Sequence, residues 1–367
     1  MQEKLNKLNN NLFSSNDEIL LLKGPKIVAI GGGTGLSTML RGLKYFTSNI
    51  TAIVTVGDDG GGSGVLRQDL GMLPPGDIRN CILALADIEP IMDNLIRYRF
   101  TEGSLKGQNF GNLLLAALTG IYGEFEIAVQ KMSDVLAVRG KVLPVTINDM
   151  ILKAKLENGT IVIGESNIPV ISLEQNSKIE RLFISPEDCI ALDEAITAIR
   201  EADSIIIGPG SLYTSVMPNL LVKDILKALK STKAIKIYVC NIMTQPGETD
   251  SYTAKSHLDA IYNHVGGNIF DYIIVNKKDI SSDLERKYLD GNSSLVKYNP
   301  HELNEFGIKL IEEDLIKVNS KGLIRHDEYK LSSLIMRTIM KEVTKFSDHK
   351  IRHYFRLSER LRDKETS

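Results

Sequence analysis

Residues 27–40 read IVAIGGGTGLSTML. Four apolar residues lead into Gly31-Gly32-Gly33-Thr34-Gly35, and a run with helical character follows. A short β-branched run that ends in glycine and resumes as a helix is the strand-to-helix turn of a parallel sheet. Glycine lets the backbone take positive φ and lets a ligand approach the amides. The helix N-terminus beyond it offers unpaired N–H groups and a partial positive charge. Gly31, Gly32, Gly33, Thr34 and Gly35 therefore read as an anion cradle for phosphate or diphosphate, with Thr34, Ser37 and Thr38 able to add hydroxyls. No G-x-x-x-x-G-K-[ST] occurs here, and G-x-G-x-x-G would need glycine where Leu36 stands.

Similar units recur along the chain. Strand-like runs at 26–30, 50–56, 142–145, 204–207, 236–240 and 272–275 are mostly apolar without strict alternation, as in strands covered on both faces. Most lead into glycine-rich or polar loops and then helical patterns. The fold class expected is α/β: a Rossmann-like, doubly wound, mostly parallel sheet. Residues 150–185 differ. They predict a hairpin with Asn158-Gly159 in a type I′ turn, plus a strand at 179–184, as a small antiparallel insertion at one edge of the sheet. The polar, Asn-rich segment 1–23 reads as a tail, 24–330 as the Rossmann-type domain, and 331–367 as a C-terminal helical tail. Beyond Met340 this tail carries eight Lys/Arg against five Asp/Glu.

Composition bounds the rest. The 367 residues are 43% hydrophobic and 25% charged, ordinary for a globular chain. A net charge of -2 gives no global reason to expect nucleic acid or an anionic membrane as partner. Cys81, Cys189 and Cys240 are widely spaced, which argues for buried thiols in a reducing compartment and against a disulfide frame or zinc site. No secretory apolar core and no membrane-span run is found, so a cytoplasmic location is expected.

In a parallel sheet, ligands bind outside the carboxyl ends of the strands. The loop VGDDGGGSG places Asp58 and Asp59 there, as acceptors for ribose hydroxyls or as holders of Mg²⁺ through water. In LPPGDIRN, Asp77 fits a helix N-cap and Arg79 is the phosphate-pairing candidate. Asn109 and Asn112, in GQNFGN, read as ligand hydrogen-bonders or as turn and cap residues. Gly208, Gly210, Ser211, Thr214 and Ser215 repeat the small-residue phosphate loop, and Asn241, Thr244, Gln245, Gly247 and Glu248 follow a later strand. Together these describe a crevice for a diphosphate bearing a sugar or nucleoside. No Ser-His-Asp order with a nucleophile elbow, no H-E-x-x-H and no cysteine beside a histidine occurs, so no catalytic residue is assigned. His257, His264, His301, His349 and His353 sit in surface-like patterns. His326, before Asp327, reads as a helix-entry residue or a ligand contact.

GGGTG, VGDDGGGSG, PPGDIRN, GQNFGN, GPGSLYTS and NIMTQPGET, in this order, closely resemble the YvcK (GlmR) gluconeogenesis factors of the CofD-like superfamily, over roughly residues 25–330. The resemblance implies a cytoplasmic regulator of carbon metabolism, linking gluconeogenic growth to cell-wall precursor synthesis and cell shape. It implies UDP-N-acetylglucosamine as ligand; a partner enzyme of amino-sugar synthesis and a homo-oligomer are expected besides. It carries over the first glycine loop with Thr34, the pair Asp58 and Asp59, Asn109 and Asn112, the loop Gly208 to Ser215, and Arg325. Some relatives have threonine where this chain has Glu328, so a standing charge replaces a phosphorylation point. The enzymatic cousin in the superfamily moves phospholactyl from a guanylylated donor to a deazaflavin. A Mg²⁺-dependent transferase acting on a nucleoside diphosphate-linked donor is accordingly the alternative, with a dinucleotide oxidoreductase third.

Overall fold

In the computed structural model, which describes residues 24–344 and 348–366, every residue of β1 (Ile27–Gly31) is buried. β2 (Ile50–Val54) and β3 (Lys141–Pro144) follow on one side. An insertion of β4 (Ile151–Leu156), β5 (Ile161–Ile163) and β6 (Ile179–Ser185) comes next. The chain then builds the other side with β7 (Ser204–Ile207), β8 (Ile235–Val239), β9 (Tyr272–Asn276) and β10 (Lys309–Glu313). Among the described residues these form a seven-stranded sheet of order β10-β9-β8-β7-β1-β2-β3. Each pairing in it is parallel. Apolar side chains on both faces make the central strands insoluble alone, so helices cover both sides. A two-stranded ribbon, β11 (Ile316–Val318) with β12 (Ile324–His326), closes the fold beyond the sheet.

Sequence patterns had not marked β10, β11 or β12. β10 is an edge strand with charged and half-exposed residues, and the ribbon strands have three residues each, too few to show a period.

Two expectations about the insertion change. Asn158 keeps a negative φ while Gly159 sits at +88°, and the Gly159 amide donates to the Leu156 carbonyl at 2.9 Å. The hairpin loop is thus a three-residue turn closed by a left-handed glycine, not a type I′ pair. The insertion also does not extend the sheet edge: its strands order β5-β4-β6 as a separate sheet. Its Ser166 amide reaches Asp59 at the loop rim, and its Leu182 amide donates to His264 Nε2, on the helix Ala254–Val265, at 2.9 Å.

The boundary expected at residue 331 falls inside the helix Glu328–Ile339. Leu331, Ile335, Met336 and Ile339 are fully buried, and Ser332 Oγ donates to the Met39 carbonyl at 3.1 Å. A β-carbon on Gly42 would overlap the Glu328 carbonyl, so glycine is what lets this helix lie against Gly33–Leu43. The following helix, Asp348–Thr366, sets Phe355 edge-on to Phe46 at 5.4 Å. The expected tail 1–23 lies outside the described residues. No described helix is long and apolar enough to cross a membrane.

Candidate functional site

β1 and β7 are neighbours, while β2 and β8 lie on opposite sides of them. Chain direction therefore diverges between β1 and β7, and the loops leaving their carboxyl ends part to form a crevice. A cleft of about 350 Å³ lies there, within the range of small-ligand sites. Gly33, Thr34, Gly35, Gly210, Ser211, Ser215, Asn241, Gln245 and Arg325 line it. Gly31, Gly32, Asp58, Asp59, Arg79, Asn109, Asn112, Gly208 and Thr214 are not among its lining residues.

The first loop is shaped by close approach. Gly32 is the N-cap of the helix Gly33–Leu43 and has no side chain to cap it, and Gly33 turns left-handed at φ +65°. The Gly33 amide donates to Asp77 Oδ2 at 2.7 Å. Asp77 thus caps this loop and not its own helix, whose N-cap is Pro75. Burial raises the Asp77 carboxyl to about 6, against the opposing bond from Gly33. At Gly35 a β-carbon would stand 2.5 Å from the Pro209 carbonyl oxygen. Only glycine lets the helix start abut the second loop. Thr34 and Gly35, in the first turn, have amides without intrahelical acceptors, and both line the cleft.

Several expected ligand donors have internal duties. Asn241 accepts from the Gly210 amide at 3.1 Å and donates to the Gly210 carbonyl at 2.8 Å, which takes up both ends of its amide to hold the second loop. Ser211 Oγ donates to Gln245 Oε1 at 2.7 Å, and Gln245 Nε2 donates to Glu248 Oε1 at 2.6 Å. Glu248 also accepts from the Tyr213 amide and from Thr214 Oγ1; burial raises its carboxyl to about 7. These side chains orient the loop and leave the backbone to face the cleft.

Arg79, expected to pair phosphate, does not line the cleft and is bonded within the protein. Arg79 is buried, donating to Asn112 Oδ1 at 2.6 Å and Asn80 Oδ1 at 2.8 Å. Asn109 is the N-cap of the helix Phe110–Tyr122, accepting from the Asn112 amide, and its own amide holds the Arg97 and Tyr98 carbonyls. Capping, the second of the two readings, accounts for it. Asp58 accepts from the Gly60 amide at 3.0 Å and Asp59 from the Ser166 amide at 2.9 Å. Each acid thus holds a different backbone segment, and among the described residues no group of three or more His, Cys, Asp or Glu is arranged to hold a metal. Glu165, which sequence reasoning missed, joins them from the insertion. Burial, then Asp58, raises its carboxyl to about 8.

The ribbon supplies the far wall. Arg325 is the only Lys or Arg lining the cleft among the described residues; its Nη1 donates to the Ile324 carbonyl at 2.7 Å. Lys317, its register partner on β11, pairs with Glu328 at 3.0 Å. His326 also lines the cleft, with 7% of its surface exposed. Burial lowers its imidazole to about 4, opposed in part by the Cys240 backbone. His257 is not at the surface either: it is fully buried, and its Nδ1 meets the Thr253 carbonyl at 2.8 Å. No periodic signal in the sequence marks these burials.

A parallel, doubly wound sheet with an amide-lined cleft at its switch point defines an α/β protein of the Rossmann-like class. The model of the family described as 2-phospho-L-lactate transferase CofD matches residues 27–316. A Clostridium acetobutylicum relative is 57% identical over 357 residues, 97% of this chain and 78% of its own. The gluconeogenesis factor of Bacillus subtilis is 49% identical over 313 residues, 85% of this chain and 97% of its own. The crystal structure of a UPF0052-family protein from Bacillus halodurans superposes with a TM-score of 0.82 at 48% identity, covering 86% of this chain and 99% of that one. The chain belongs to the CofD family, in its gluconeogenesis-factor (YvcK, UPF0052) branch.

Proposed function

We propose that the cleft binds a nucleoside-diphosphate sugar, UDP-N-acetylglucosamine, and that the protein works by binding. In this reading it is a regulator that links gluconeogenic growth to cell-wall precursor synthesis, docking on an enzyme of amino-sugar synthesis when its ligand state changes. One observation carries the reading: Arg325 shares a cleft with the helix start at Thr34–Gly35 and the loop at Gly210–Ser211. Two amide-rich turns and one guanidinium suit a diphosphate, and the apolar wall at Ile242, Met243 and Tyr288 suits the nucleoside or sugar.

Calorimetric titration of UDP-N-acetylglucosamine into the full chain tests this. Saturable heat, with a matching rise in melting temperature, is expected; no response at millimolar ligand overturns it. The match to the family described as 2-phospho-L-lactate transferase favours a second reading, a transferase acting on a nucleoside diphosphate-linked donor. It predicts a new product, seen by mass spectrometry with nucleoside diphosphate donors and lost on Asp59→Asn.

A further inference from the structure

We propose that two copies of this chain associate about a twofold axis through the helix Phe110–Tyr122, which crosses its own copy in antiparallel sense. The inference is independent of the ligand reading above.

This helix, FGNLLLAALTGIY, is the only described helix of eight or more residues without a charged side chain. A helix that is apolar on every side belongs in an interior, yet only Gly111, Asn112 and Leu115 are buried. Ala117, Gly120, Ile121 and Tyr122 are exposed, Ile121 to 72%. The neighbouring helix Pro90–Arg97 extends the apolar surface with Ile91 and Leu95, one turn apart and both exposed. The two helices abut where Ile96 meets Gly111, at which a β-carbon would stand 2.7 Å from the isoleucine. Gly120 is a separate sign. A β-carbon there would meet nothing within 4 Å, so no contact inside the chain accounts for a glycine that weakens its helix. A second backbone arriving from outside accounts for it.

Two features choose a second copy as the occupant. On a twofold axis a residue meets its own image, so a charge placed there repels itself; among the described helices of this length, this one escapes that. The charges flanking it also differ in sign at its two ends. Arg99 and Lys106 outweigh Glu102 before the helix, and Glu124, whose side chain caps nothing, follows it. All four are exposed, and none pairs with an opposite charge within the chain. An antiparallel copy brings Glu124 of each chain toward the basic end of the other and sets the two helix dipoles in opposition.

Sedimentation equilibrium of the full-length protein, without ligand, tests this. Wild type is expected to be a dimer across the micromolar range. Ala117→Glu sets a carboxylate against its own image and is expected to weaken the dimer at least about 100-fold, with an unchanged circular dichroism spectrum. Lys106→Glu and Glu124→Lys each reverse two equivalent pairs and are expected to weaken it roughly tenfold. An equimolar mixture of those two variants is expected to regain wild-type association, because opposite charges then face each other again. That recovery is informative even if Ala117→Glu fails to fold. A monomeric wild type overturns the proposal and leaves this face to a different protein. A dimer indifferent to Ala117→Glu overturns it by placing the contact elsewhere, and a mixture that recovers nothing overturns the antiparallel pairing.

Discussion

Asn219 donates its side-chain amide to the carbonyl oxygen of Gly31, 188 residues earlier in the chain, at 3.1 Å. The same nitrogen donates to the Ser215 carbonyl at 2.8 Å, and the residue is fully buried. One amide therefore ties the end of β1 to the turn after β7, the two segments whose divergence makes the cleft. Asn219→Ala removes a donor from two buried carbonyls, of which Gly31 keeps the Thr55 amide, and a loss of about 1 kcal/mol is expected. Urea denaturation checks the stability, and a weakened thermal response to ligand checks that the loops have parted.

The glycines of the first loop are not equivalent. A β-carbon at Gly35 meets the Pro209 backbone at 2.5 Å, whereas at Gly33 it meets only Ser215 Oγ at 3.3 Å. Gly35→Ala is expected to cost about 3 kcal/mol, the upper part of the overpacking range, and to abolish ligand response. Gly33→Ala carries the left-handed penalty of about 1 kcal/mol and keeps a response. Paired melting curves with and without ligand separate the two; equal losses would contradict the close-approach account.

Arg325 is exposed on its strand, so its removal should leave folding unchanged and act on binding alone. Arg325→Ala is expected to lower affinity for UDP-N-acetylglucosamine by about 1.5–3 kcal/mol, the value of a charge-assisted hydrogen bond. Arg325→Lys restores only part of it, because an ammonium lacks the planar fork. Calorimetry reads both, and unchanged affinity in the alanine variant clears Arg325 of the role.

Glu165 gives a pH signature. Its carboxyl rises from 4.5 to about 8, through burial first and Asp58 next. The folded state thus binds the proton more tightly than the unfolded chain. Its contribution to stability is full below the unfolded value and is lost as pH rises through about 8. His257 and His326 act in the opposite sense, but burial has moved both to about 4 from 6.5, so their effect is complete before that window. Stability is expected to fall between about pH 6.5 and about pH 9, with Glu248 contributing to the lower part. Glu165→Gln should flatten the fall and exceed wild type at the alkaline end. Identical slopes in denaturant midpoints would exclude Glu165 as the cause.

Much of this was legible in the chain. The run at 27–31 and its partners are mostly apolar without strict alternation, which needs cover on both faces, and each is followed by residues that turn. That pattern is local, so β1, β2, β7, β8 and β9 could be read directly. Arg79, Asn109 and Asn241 show where reading stops. Each is a polar residue in a glycine-rich loop, and nothing nearby distinguishes a side chain facing a ligand from one bonded to Asn112, Tyr98 or Gly210.

The sequence by itself determined the parallel sheet, its sense of winding and the loops that gather on its carboxyl edge, because periodicity and glycine act over a few residues. Only the tertiary structure decided which of those loops touch. It brought Gly35 against Pro209, closed Asn219 on Gly31, joined the insertion to the rim at Asp59 and buried His326 in the cleft wall. Those are contacts between segments far apart in the chain, and their partners are selected by packing, which no local pattern records.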